Sequence, residues 1–372
     1  MKTLASSRLI SILCGFATAL CLQAAIVTFN FSSASWRRSY GVRNATVLEQ
    51  LSVDGIVVHG RLGANTSHSK PTYYDTQTTV RIYKGNELTI FSTNGRALRR
   101  VEFAFQNATY AAPLSLSEGQ AGTYAAEKSV GTWVADASDE VVQITFRNAA
   151  TDNSQVRFTS LMVEYADEAA TPLKLTIPSG GLATYYDAQP YVMPAGLTGH
   201  VVNSVSASSE SAVGTLQTEA KYAAGMVVPP CEPLVLSGRA GGCDAVRRGT
   251  IDEPTHQMLL GTALDTMVSS SASGERCYTL RANEKGETAQ MGFFVHQPAE
   301  GPLSIAAHEC WLTLPSALGY EALLFDHVLL GIGQTNRGSH APLGRIYDLG
   351  GRMVEKHERG LFIVNGQKRM MR

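Results

Sequence analysis

Short runs that alternate apolar and polar residues, with no amphipathic helix between them, set the tightest limit on what this chain can fold into. In Val101-Glu-Phe-Ala-Phe105 the two-residue strand period puts Val101, Phe103 and Phe105 on one face. Ile26-Val-Thr-Phe-Asn-Phe31, Val53 to Val58, Val142-Gln-Ile-Thr-Phe146 and Val156-Arg-Phe158 repeat the device, and Leu161, Val163 and Tyr165 close the series. Thr79-Val-Arg-Ile-Tyr83 and Leu88-Thr-Ile90 flank Lys84-Gly85-Asn86, which reads as a hairpin. The spacing predicts an all-β chain whose residues 25–167 form a β-sandwich or jelly roll.

Asp167-Glu-Ala-Ala-Thr171 before Pro172 reads as a short polar linker. A second β-rich unit is expected over residues 172–330, with prolines where its strands start or end, because proline cannot donate to a ladder. His340-Ala-Pro342 leads to a small C-terminal β unit at 340–372. There, two alternating runs precede and flank Asn365-Gly366, a dipeptide that tolerates the left-handed geometry of a type I′ turn.

Residues 1–24 have the layout of a signal peptide: Lys2 and Arg8, an apolar run from Leu9 to Leu22, and small residues at Ala24 and Ala25. The run is short for a membrane span, and Thr18-Ala-Leu20 before Cys21 is a poor lipidation site. The mature chain is expected to be soluble and exported. A net charge of −1 with 17 % charged residues leaves no basic stripe for phosphates, so nucleic acid is not an expected partner. Cys14 and Cys21 leave with the signal, and Cys231, Cys243, Cys277 and Cys310 remain. In an oxidising envelope these four are expected to form up to two disulfides, or to stay partly as free buried thiols. Zinc is disfavoured because no pair has Cys-x-x-Cys spacing.

The C-terminal Ile346-Tyr-Asp-Leu-Gly-Gly351 and Gly360-Leu-Phe-Ile-Val-Asn-Gly-Gln-Lys368 resemble the sorting domain of proteins exported by the type IX secretion system. That resemblance implies a Gram-negative bacterial protein at the outer-membrane exterior or secreted, with the tail engaging the secretion machinery. Tyr73-Tyr-Asp75, Val80-Arg-Ile-Tyr-Lys-Gly85, Gly122-Thr-Tyr124, Trp133 and Gln155-Val-Arg-Phe158 resemble the galactose-binding-like β-sandwich modules of such surface proteins. Gly181-Leu-Ala-Thr-Tyr-Tyr186, Tyr191-Val-Met-Pro-Ala-Gly196 and Pro233-Leu-Val-Leu-Ser-Gly238 are similar to a recurrent surface-protein module to which no activity attaches.

The chain lacks His-Glu-x-x-His, Gly-x-Ser-x-Gly and phosphate-cradling glycine loops. His308-Glu-Cys310 sets a base near a thiol, but Cys310 opens an apolar strand and reads as core or disulfide packing. Asp136, Asp139 and Glu140 lie in a polar loop that reads as a solvated turn rather than a glycosidase acid pair. Sugar binding fits better, since aromatic faces stack on pyranose rings while neighbouring polar groups take the hydroxyls. The ligand-binding candidates are Trp36, Tyr73, Tyr74, Asp75, Tyr124 and Trp133, with Tyr110, Arg81, Asn107 and Arg157 beside them. No cofactor is expected; Asp152 with Asn153, or Asp136 with Asp139, offer oxygens to a structural Ca²⁺, but no pattern demands one. The expectation is a non-catalytic surface binding protein, an adhesin or carbohydrate-binding type, whose partner is a glycan or a surface protein. A surface scaffold is the alternative and a glycosidase the third reading.

Overall fold

The computed structural model describes residues 24–66, 69–207, 212–269, 274–283, 290–297 and 301–325, and the backbone of three strands at 346–347, 360–364 and 367–371. The fold is all-β. The signal-like segment before residue 24 and the Asn365-Gly366 dipeptide lie outside the described residues.

The first β body begins with β1 (Ala24–Asn30), β2 (Leu51–Val53), β3 (Ile56–Arg61), β4 (Thr72–Tyr74), β5 (Thr79–Ile82) and β6 (Glu87–Ser92). It continues with β7 (Arg96–Phe105), β8 (Leu114–Leu116), β9 (Thr123–Glu127), β10 (Val130–Val134), β11 (Gln143–Asn148) and β12 (Val156–Ala169). Two short helices, α1 (Ala34–Ser39) and α2 (Ala108–Ala111), interrupt them. One sheet runs β4-β5-β12-β7-β10-β9 with β1 also on β12, and it faces a second running β2-β3-β6-β11-β8. Between them lies the alternating set read from the sequence. Phe103 stands edge-on to Phe146 at 5.0 Å and to Phe158 at 5.4 Å, and Phe31 meets Phe158 at 5.6 Å.

Strand β12 shows how the alternation survives a break in period. Val156 and Phe158 point inward, and so do Leu161, Val163 and Tyr165, which are out of phase by one residue. A register shift between Phe158 and Ser160 inserts the extra residue, a β-bulge that returns the apolar set to the core.

Two local expectations are corrected. Val53 to Val58 is a hairpin rather than one strand, because Asp54 (φ 48°) and Gly55 (φ 81°) take the left-handed turn that Asp-Gly favours. Lys84-Gly85-Asn86 does turn the chain, but its flanks separate. β5 joins β4 and β12, whereas β6 joins β3 and β11 in the opposite sheet. The buried Asn86 makes this corner, accepting from Tyr83 N at 3.0 Å and donating to the Leu62 carbonyl at 3.2 Å.

The polar stretch after Tyr165 continues β12 to Ala169, and the next strand starts at Leu173. Nine strands from Leu182–Tyr185 to Leu259–Gly261 form one sheet that nearly closes on itself. Tyr186 N donates to the His308 carbonyl at 3.0 Å and Cys310 N to Thr184 Oγ1 at 3.2 Å, drawing distant strands of that sheet together. Cys231, Cys243, Cys277 and Cys310 are unpaired in the structure, Cys277 and Cys310 buried and Cys231 and Cys243 half-buried. Cys277 is opposite Thr313, three residues beyond Cys310. That offset is about 10 Å of strand rise, beyond disulfide reach.

The C-terminal unit is a three-stranded antiparallel sheet. Its last two strands pair from Gly360 with Met371 to Val364 with Gln367.

Gln189 makes the most concentrated set of hydrogen bonds between the first body and the strands after it. Gln189 Oε1 accepts from Val142 N at 2.9 Å and Gln143 N at 3.0 Å, and its Nε2 donates to the Gln143 carbonyl at 3.1 Å. Gln143 returns the contact by accepting from Thr250 N at 2.9 Å. The approach needs glycine on both sides. A Cβ on Gly249 would lie 2.6 Å from the Phe91 ring, and one on Gly95 would lie 2.4 Å from the Arg247 carbonyl. Gln189→Ala strands two buried N–H donors at about 1–3 kcal/mol each. Urea denaturation should report that loss, and amide exchange at Val142 and Gln143 should accelerate.

His200, on the strand Leu197–Ala207, is buried against Ser237 Oγ at 2.7 Å, and burial lowers its pKa to about 4. The unfolded chain holds the proton below about 6.5, so the folded state binds fewer protons between those values. Stability is therefore complete above the unfolded value and declines as pH falls from about 6.5 toward about 4. Denaturation midpoints across this window should fall with acid, and His200→Gln should flatten the slope.

Candidate functional site

The outer face of the first body, along β4, β5 and β12, gathers four of the residues singled out in the sequence. Strand alternation turns Tyr73 and Val80 into the core and leaves Tyr74 and Arg81 on the other face. Arg81 and Arg157 are direct register partners across β5 and β12. The Arg81 guanidinium lies over the Tyr74 ring at 4.3 Å, and the Arg157 guanidinium over the Tyr110 ring at 4.3 Å. Tyr110 comes from α2, whose first turn is capped by Asn107 Oδ1 accepting from Thr109 N and Tyr110 N. Asn107 thus serves as a helix cap that places Tyr110.

One neutral oxygen sits between the two cations. Gln77 Oε1, in the turn between β4 and β5, accepts from Arg157 Nη1 at 2.7 Å and Arg81 Nη2 at 3.2 Å. Gln155 Oε1 takes Arg157 Nε at 3.1 Å. Tyr74 and Tyr83 share a hydroxyl–hydroxyl hydrogen bond at 2.9 Å, and burial together with that bond pushes the Tyr83 phenol up to about 12. Among the described residues neither arginine has a carboxylate within 4.0 Å, although like charges directly opposed on a sheet are unfavourable. The face is therefore polarised, aromatic-backed and positively charged.

The remaining sequence candidates have other places. Tyr73 and Trp133 are fully buried, so neither has a ring face to offer a sugar; Tyr73 stacks on Phe31 and Trp133 Nε1 donates to the Ala121 carbonyl. Tyr124 leans edge-on to Phe146 at 5.6 Å, and its phenol is raised by burial. Trp36 packs on Phe31 at 5.3 Å and on the exposed Tyr40 at 4.7 Å, on a helix capped by Ser33. Asp75 stays exposed in its turn. Glu140 pairs with Arg99 at 3.7 Å beside the Asp136–Asp139 turn, and Cys310 is sealed in the core with its thiol pushed up by burial. Among the described residues no cluster of three or more His, Cys, Asp or Glu is arranged to hold a metal ion. Nor is any helix there long and apolar enough to cross a membrane.

Sequence reasoning missed Gln77, Tyr83 and Gln155, since a glutamine in a turn carries no signal of its own. It also missed a cleft of about 950 Å³ between the first body and the loop 251–256, bordered by His59, Arg61, Lys70, Glu253 and His256. There Arg61 is already matched, by Glu87 at 2.7 Å and Glu253 at 2.9 Å. Comparison with known family models, characterised proteins and solved structures finds nothing that matches this chain.

The two aromatic types separate by experiment. Trp133→Ala empties a fully buried site and should cost about 3–5 kcal/mol. Tyr74→Ala removes a cation–π contact and the hydrogen bond shared with Tyr83, and should cost about 1–2 kcal/mol. Urea unfolding of both variants measures the difference.

Proposed function

We propose that this is an exported, non-catalytic surface protein that binds a glycan through the outer face of its first β body. The observation that carries the reading is the convergence of Tyr74, Arg81, Arg157 and Tyr110 on one side of the sheet. Planar guanidinium groups present forked donors suited to sugar hydroxyls and their substituents. Stacking on tyrosine holds those forks in place before the ligand arrives, which lowers the ordering cost of binding. The paired strands β4, β5 and β12 fix the positions from which these side chains extend.

Export and surface placement rest on the signal-like first 24 residues and on the tail that resembles a type IX sorting domain, with the secretion machinery as the tail's partner. The three-stranded C-terminal sheet supports that tail as a folded unit. Asp136 is exposed in its turn and Cys310 is sealed in the core.

A glycan array probed with the purified chain should show saturable binding to a defined subset of glycans. Tyr74→Ala and Tyr110→Ala, both folded by circular dichroism, should weaken it. Binding to no glycan at all would overturn the reading and move attention to protein partners.

A further inference from the structure

Resting on the glycan-binding reading above, we infer that the group seated between Arg81 and Arg157 is anionic: a carboxylate or sulfate ester carried by an acidic sugar. Three observations converge on this. Two guanidinium groups oppose one another across β5 and β12 with no carboxylate partner among the described residues. Some half-buried arginines are matched, Arg99 by Glu140, Arg100 by Glu102 and Arg276 by Glu321, and others such as Arg96 and Arg281 lie singly over a ring; Arg81 and Arg157 differ from both in being directly opposed to another cation. The unmatched pair is the feature an external anion would complete.

The position of Gln77 marks the seat. Its Oε1 bridges both guanidinium groups, where one oxygen of a carboxylate or sulfate would bridge them with a full charge. A neutral amide oxygen partly screens the two cations and is readily displaced by a charged acceptor, because charge-assisted hydrogen bonds are about twice as strong as neutral ones. Arg81 Nε is buried with no acceptor, leaving a further donor on the same fork unsatisfied.

The tyrosines decide between a neutral sugar and an acidic one. In a neutral-sugar site an aromatic face lies open to the pyranose. Here the Tyr74 and Tyr110 faces each carry a guanidinium at 4.3 Å. Their role is to support the cations rather than to stack on a ring, and a supported pair of forks selects an oxyanion. Asp75, two residues from Gln77, stays exposed and pairs with neither arginine.

The test is calorimetric titration of the full chain with trigalacturonate, its fully methyl-esterified form and a sulfated galactan tetrasaccharide. The ester removes the charge while keeping the sugar. Trigalacturonate or the sulfated probe should bind, and whichever binds tighter identifies carboxylate or sulfate. The methyl ester should be weaker by about tenfold or more, as loss of charged hydrogen bonds implies. Raising NaCl from about 50 to about 500 mM should weaken the acidic probe and leave any neutral binding unchanged. Arg81→Gln and Arg157→Gln should each lose about tenfold or more. Gln77→Glu is the sharpest variant, since it places a carboxylate of the chain itself in the seat. It should abolish acidic-glycan binding while thermal unfolding shows a fold at least as stable as wild type. Equal binding of acid and ester, or wild-type affinity in Gln77→Glu, would overturn the anionic seat while leaving glycan binding in place. Failure of every glycan, neutral and acidic, would overturn both.

Discussion

Asp187 is a carboxylate held at 4 % exposure, and its charge would cost several kcal/mol to bury alone. Arg247 meets it with both terminal nitrogens, at 2.9 Å and 3.2 Å, and the Tyr185 hydroxyl donates to it at 3.0 Å. A fourth donor, Gln189 N at 2.7 Å, ties the pair to the glutamine whose side chain completes the backbone of β11. His308 stacks on Tyr185 with its planes nearly parallel, and Cys231 N donates to the Asp187 carbonyl at 2.8 Å. The partners of Asp187 all lie in the strands after residue 173, and the contact with the first sandwich is made by the Gln189 side chain that this cluster positions.

The contrast with Arg81 and Arg157 is chemical. At the joint, an arginine is spent on a carboxylate of the same chain, so the pair has nothing left to offer a ligand. On the outer face, the arginines are restrained by rings and by a neutral amide, which orders them without cancelling their charge. The sheet beneath gives that arrangement its precision. Arg81 and Arg157 face each other because β5 and β12 pair in that register, and the register is held by Val80, Ile82, Val156 and Phe158 on the inner side. A slip by one residue would send the arginines into the aromatic core.

Much of this was legible in the chain. Val101, Phe103, Phe105, Ile144, Phe146, Val156 and Phe158 all occupy the inner positions that their spacing indicates. The β12 bulge could be inferred from the change of phase between Phe158 and Leu161. Turns were harder. Asp54-Gly55 is a strong hairpin signal hidden inside an apparently continuous alternation, and Lys84-Gly85-Asn86 carries a hairpin signal although it serves as a corner between sheets. Local turn chemistry states that the chain bends, and says nothing of whether the two arms then stay together. Aromatic residues at loop edges were equally ambiguous. Tyr73 and Tyr74 are adjacent and chemically identical, yet the pleat sends one into the core and the other to the outer face.

By itself the sequence determined the β class, the identity of the core faces and the absence of a basic stripe, because these follow from residue type and period alone. It also set Tyr74 and Tyr110 beside predicted loops, with Arg81 and Arg157 as polar partners. Only the tertiary structure decided that Arg81 and Arg157 are neighbours, that Gln77 stands between them, and that Gln189 reaches across to the first β body. Arg81 and Arg157 are far apart in the chain and meet through strand pairing, a long-range choice settled by how whole sheets bury their faces. The cysteines show the same division: their number and clustering were plain, and their separation was set by the strands that carry them.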